Sequence, residues 1–195
     1  MKVVVGLGNP GVRYRWSRHN VGFQVADLFA ERNQISLSHR RFKALYGTGS
    51  IHSQPIVLAK PMTFMNLSGE AVRDTVRYFS AGLRDLIVIH DDLDLPFGKL
   101  RIKRMGGDGG HQGVRSVIEA AGGSQFLRLK VGIGRPPDGM GAAEYVLDRF
   151  SEAERSEFGN ILARAVEVLT VMIVEGVDKA VSQCQGKPIP PSQSP

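Results

Sequence analysis

Cysteine is almost missing from this chain: Cys184 stands alone among 195 residues, so no internal disulfide framework is available. No His/Cys group has the spacing of a zinc site. No apolar run is long enough to span a bilayer, which excludes a membrane-spanning helix. The chain opens directly on a strand-like run, "KVVVGLG", so no signal peptide is expected and the expected location is the cytoplasm. Internal repeats are also missing. What the sequence has in excess is positive charge, with 25 Lys and Arg against 19 Asp and Glu, a net +6. That balance favours a polyanionic partner or substrate. With 42% hydrophobic and 23% charged residues, the composition is that of a globular protein and not of a disordered chain.

Apolar or alternating runs predict strands at "KVVVGLG", "KALYGTGS", "PIVLAK", "DLIVIHD", "KLRIKRM" and "RLKVGIG". Helical spacing appears from Val21, where Asn20 is the expected N-cap, and again in "SGEAVRDTVRYF" and "HQGVRSVIEAAG". A long last helix is predicted from "SEAE", where Ser151 and Glu154 fit a capping box, to a stop at Gly176. These alternations imply an α/β fold: a single domain with a mixed, twisted β-sheet covered by helices. The hairpin expected around "GTGSIHSQPIVLAK" supplies the antiparallel part. The domain is assigned to residues 1–186, with a flexible proline- and serine-rich tail at 187–195.

Gly6, Gly8 and Gly11 spell the glycine pattern of a dinucleotide-binding loop, but the context argues against that use. Pro10 precedes the third glycine, and "VRYRWSRHN" carries no helical stripe. The acidic residues about twenty positions on, Asp27 and Glu31, lie in a helical pattern and not at a strand end.

The polar loops after the predicted strands hold the chemistry. They offer His19 and His111, the amides of Asn9, Asn66 and Gln112, and the carboxylates Asp91, Asp92 and Asp94. A neutral histidine held by a carboxylate can deprotonate water, and amides can orient that water or a polarised carbonyl. "DDLD" also suits a Mg²⁺ or Mn²⁺ ion, or simply a solvated turn. Alternation along strands places Arg101 with Lys103 on one face, and Arg128 with Lys130 on another, as phosphate-binding candidates.

In series, "GLGNPGVRY", "RHNVGF", "KPMTFMNLSG", "HDDLDLPFGKLRIK", "GGHQGVRS" and "VGIGRP" resemble the bacterial-type peptidyl-tRNA hydrolase family, in its order and spacing. The resemblance implies a monomeric enzyme, free of metal and cofactor, that cleaves the ester between a peptide and the 3′-terminal ribose of tRNA. It implies His19 as general base, Asp91 as its carboxylate partner and Asn9 as the contact to the peptide end. Tyr14, Phe64, Asn66, His111 and Gln112 would line the substrate cleft. Arg101, Lys103, Arg128 and Lys130 would meet the backbone of the acceptor stem. Gln112 stands where the family has asparagine, and Trp16 where a small residue is common. Two rival readings are an RNA-binding protein on the same fold without catalysis and an NAD-dependent oxidoreductase. Intact His19, Asp91, Asn9 and Asn66 oppose the first; the second rests on the glycines alone.

Overall fold

A computed structural model describes residues 1–185; the expected tail at 187–195 lies outside the described residues. In chain order the elements are β1 (Lys2–Gly6), α1 (Val21–Arg32), β2 (His39–Arg41), β3 (Ala44–Ile51) and β4 (Gln54–Pro61). There follow α2 (Ser68–Tyr78), β5 (Leu86–Asp92), β6 (Leu100–Lys103), α3 (Gln112–Ala121) and β7 (Leu127–Gly132). Three helices close the order: α4 (Ala142–Leu147), α5 (Glu152–Val174) and α6 (Val177–Gln185). Among the described residues no helix is long and apolar enough to cross a membrane.

The seven strands form one sheet in the order β2-β3-β4-β1-β5-β7-β6. β4, β1, β5 and β7 run parallel, whereas β3 pairs antiparallel with β4, β2 with β3, and β6 with β7. The sheet is mixed, as the sequence predicts. Alternate side chains leave opposite faces of each strand. Val4, Leu58, Ile87 and Ile89 join one core with Val25 and Phe29 of α1 and Val168 and Leu169 of α5. Val3, Val5, Val57 and Val88 join the other with Val72 and Val76 of α2 and Val114 and Val117 of α3. Helices on both faces explain why the central strands are continuous apolar runs.

The glycines of the first loop serve packing. A Cβ at Gly6 would lie 2.2 Å from the Gly22 carbonyl oxygen, and one at Gly22 would lie 2.4 Å from that of Ile89. The first turn of α1 therefore rests directly on β1 and β5. Gly11 has open space around it but a φ of 106°, which a side chain would strain.

The expected ends of α5 are present. Ser151 Oγ accepts from the Glu154 amide at 3.2 Å, Glu154 returns a carboxylate to the Ser151 amide at 2.7 Å, and Gly176 has φ 95°. Asn20 is a correction. It precedes α1, but its side chain makes no cap; it holds the backbone of Asn9. Three elements are additional to the sequence reading. β2 is three exposed residues with no alternation to detect, and α4 and α6 are only six and nine residues long.

Candidate active site

Parallel strands deliver their following loops to one rim of the sheet, which is where open α/β sheets form sites. Here the loops after β1, β4 and β5 meet. The first runs through a short turn at Arg18–Asn20 that places His19 under the rim, 9% exposed. A lone histidine between Arg18 and Asn20 reads equally well as a surface residue; the structure buries it.

Three side chains fix this turn. The Asn20 amide donates to the Asn9 carbonyl at 2.9 Å, and its oxygen accepts from the Asn9 amide at 2.8 Å. That two-point clamp locks the Asn9 backbone beside the His19 turn. Asn9 Oδ1 accepts from the Met65 amide at 2.8 Å, which leaves its NH₂ end as a donor. On the other side, the Arg18 guanidinium lies between the rings of Tyr145, at 4.3 Å, and Phe150, at 4.9 Å. It donates to Glu154 at 2.9 Å, the carboxylate that caps α5.

Asp91, at the end of β5, is 2% exposed and sits between two histidines. His19 Nδ1 lies 2.8 and 2.9 Å from its two carboxylate oxygens, and His111 Nε2 lies 2.9 Å from Oδ1. The tautomers follow from what each nitrogen faces. His111 Nδ1 accepts from the Val114 amide at the start of α3, so its hydrogen is on Nε2 and donates to Asp91. An ionised carboxylate only accepts, so His19 Nδ1 also donates. His19 Nε2 is then the nitrogen with a lone pair toward the cavity.

The electrostatics agree. Burial is the largest influence on His19 and pulls its pKa down, but the charge and hydrogen bonding of Asp91 together overcome it and leave a net rise. Burial likewise pushes Asp91 up, yet the two histidines hold it well below the usual carboxylate range. The adjacent His90 differs: full burial, helped by the neighbouring His111, drives its pKa well down and keeps it neutral.

A cavity of about 780 Å³ opens over this group. Asn9, Tyr14, His19, Phe64, Asn66, Asp91, His111, Gln112 and Lys130, each singled out from sequence, all line it. Phe64, Asn66 and Gln112 are exposed on the rim, Phe64 by 59%. Two walls were not signalled by the sequence. One is His90, hidden inside a strand-like apolar run; the other is the face of α4 that carries Ala142, Ala143, Val146 and Leu147. Those four residues share one helical face, but six residues are too few for the period to stand out.

Asp91 faces histidines, Asp92 pairs with Lys130 and accepts from the Asp94 amide, and Asp94 pairs with Arg135. Every carboxylate of "DDLD" already has a donor partner. His19, Asp91 and His111 form a group whose donor atoms lie within 4.8 Å of one another, close enough to suit a metal ion. The hydrogens assigned to His19 Nδ1 and His111 Nε2 point at Asp91 instead, and a protonated nitrogen cannot ligate.

The basic strands meet as cross-strand neighbours, Arg101 opposite Lys130 and Lys103 opposite Arg128. Opposite residues in an antiparallel pair share a face. Loss of water contact, then the charges of Arg128 and Lys130, lower the Lys103 pKa. Arg128 is the correction here. It is 1% exposed, and its guanidinium donates to the carbonyls of Gly106 and Gly107. It anchors the loop that leads to His111 and is closed to a phosphate contact. Arg101 is exposed and Lys103 half-buried.

A family model described as "Peptidyl-tRNA hydrolase" matches residues 3–192. A relative from Citrifermentans bemidjiense named "Peptidyl-tRNA hydrolase" is 46% identical over 181 residues, covering 93% of this chain and 96% of the relative. One from Arabidopsis thaliana named "Peptidyl-tRNA hydrolase, chloroplastic" is 47% identical over 92% of this chain, which spans 63% of that longer protein. Among solved structures, the peptidyl-tRNA hydrolase from Acinetobacter baumannii superposes with a TM-score of 0.90 at 32% identity, over 95% of each chain.

Proposed function

This chain belongs to the peptidyl-tRNA hydrolase family, and on that premise we propose that it cleaves the ester between a peptide and the 3′-terminal ribose of tRNA with His19 as general base. The observation that carries the mechanism is the placing of the Asp91 carboxylate between His19 Nδ1 and His111 Nε2. Asp91 fixes His19 with its hydrogen on Nδ1, so Nε2 takes a proton from water as the water oxygen attacks the ester carbonyl. The free NH₂ of Asn9 lies on the cavity wall as a donor to the peptide carbonyl, and charge that develops there is best met by donors already in place. Asn66 and Gln112 supply further amides from the rim. Collapse of the tetrahedral intermediate breaks the bond to the ribose oxygen. That oxygen takes the proton held on His19 Nε2, which restores the base; the peptide acid gives its own proton to solvent, and free tRNA and a peptide carboxylate leave.

No step in this scheme requires a metal ion or cofactor. Every group it uses comes from one chain, in keeping with the monomer that the family resemblance implies. Arg101 and Lys103 form the phosphate-facing corner for the acceptor end of tRNA, with Arg128 supporting it from below; Lys130 is held in the cavity wall by Asp92.

The test is release of the acyl group from N-blocked aminoacyl-tRNA beside unblocked aminoacyl-tRNA. Fast release from the blocked substrate, unchanged by EDTA, is the expected result. Activity lost to EDTA and restored by Mg²⁺ would support an ion at His19, Asp91 and His111 instead. Affinity should fall with salt, and the slope should shrink when Arg101 or Lys103 is neutralised.

A further inference from the structure

A second cavity, of about 540 Å³, lies on the far side of the Asn9 loop from the first. Asn9 borders both, so one loop forms the partition between them. The second cavity has a different character. Pro10, Val12, Trp16, Phe23, Leu45 and Met62 supply an apolar lining. Val12 is 87% exposed, Trp16 54% and Met62 39%, so large apolar side chains stand open to solvent around its mouth. Of the two cations in its lining, Lys60 is paired with Asp27 at 2.6 Å and Arg15 lies over the Trp16 ring, 5.1 Å from its centroid.

The strand order decides what belongs there. Across the sheet from one edge run β6 and β7 with the basic corner, β5 with Asp91, β1 with the Asn9 loop, then β4 and β3 with the second cavity. A substrate with its phosphates over β6 and β7 and its ester over β5 can carry its peptide further along the same strand order. That direction crosses Asn9 toward β4.

Neighbouring strands are about 4.8 Å apart, and an extended peptide advances about 3.3 Å per residue. From β5 to β4 is two spacings, or about three residues of peptide. We infer that this apolar cavity is a subsite for the peptide arm of the substrate, engaging side chains about three residues or more before the ester. The inference rests on the proposed reaction. Because the lining is apolar and offers few fixed polar groups, it favours apolar residues without selecting one sequence.

The test compares two tRNA substrates, one carrying a single N-acetylated amino acid and one carrying a blocked hexapeptide of apolar residues. With Trp16→Ala, KM for the hexapeptide substrate should rise roughly fivefold while the short substrate keeps its kcat and KM within about twofold. Met62→Glu should give the same split by placing a charge in the lining. Trp16 and Met62 are exposed, so the fold should tolerate both changes. If the unmodified enzyme cleaves both substrates and neither variant separates them, the subsite is overturned and the reaction stands. If both substrates are weakened equally, the residues support the site in general and the subsite is again overturned. If the unmodified enzyme cleaves neither, the proposed reaction falls, and the subsite with it.

Discussion

His19 and His111 flank the same carboxylate at nearly the same distance, yet they are not equivalent. The second nitrogen of His111 is occupied by the first turn of α3; the second nitrogen of His19 faces the cavity. The difference teaches that a buried histidine can serve as a base only where its other nitrogen is left free. His111 is a structural donor held by a helix. His19 is held on one side only, by Asp91.

The sharpest break of this comparison is His19→Ala. Removing a general base costs roughly 10²–10⁴ in rate, so a fall in kcat of that size is expected with tRNA affinity retained. A single-turnover assay on N-blocked aminoacyl-tRNA reads the rate, and filter binding reads the affinity.

Next comes Asp91→Asn, which removes the charge shared by both rings. Losing it deprives His19 of what raises its pKa and leaves burial to lower it. The acid limb of the pH–rate profile, set by protonation of the base, should therefore move to lower pH. The rate on the plateau should also fall, because an amide does not impose the tautomer that a carboxylate does. A limb that stayed in place would detach Asp91 from His19.

His111→Ala should have a smaller effect, a rate loss of roughly tenfold for one hydrogen bond to Asp91, with a cap loss of about 1 kcal/mol in stability. His111→Asn separates the two roles. Asparagine caps helices well but is too short to replace the Nε2 donor, so thermal stability should recover while the rate does not.

The smallest effect belongs to Gln112 on the rim. It retains the donor and acceptor of asparagine with one more rotatable bond to order. Gln112→Asn should leave the rate unchanged or raise it modestly, and Gln112→Ala should lower it by up to roughly tenfold. Equal rates for all three forms would remove Gln112 from the site.

Much of this architecture is legible in the sequence because the signals are local. The central strands are unbroken apolar runs, the box at Ser151 and Glu154 announces α5, and the polar loops follow strands. The partners that organise the site are not local. Asn20 carries the residue type of a helix cap, but only the folded chain shows that its amide is turned back to Asn9. Arg128 follows the alternation of a strand, and alternation cannot distinguish a solvated face from one closed by the loop at Gly106. The α4 wall and His90 escape for the same reason: a short helix and a strand interior carry no marker of the space they border.

Arg18 has a consequence for how the enzyme breathes. Its guanidinium is gripped by Tyr145 from α4, by Phe150 and by Glu154 from α5, and it precedes His19 in the chain. Swinging α4 outward would take Tyr145 off a buried cation and pull on the Arg18 amide, which donates to the Asp148 carbonyl at 2.9 Å just past α4. The α4 wall and the His19 turn are therefore tied together through Arg18. The opposite lip stands apart, with Phe64 and Asn66 in solvent. Amide hydrogen exchange should record this division, with 145–154 opening in step with 18–20 and the 62–67 segment opening earlier and independently.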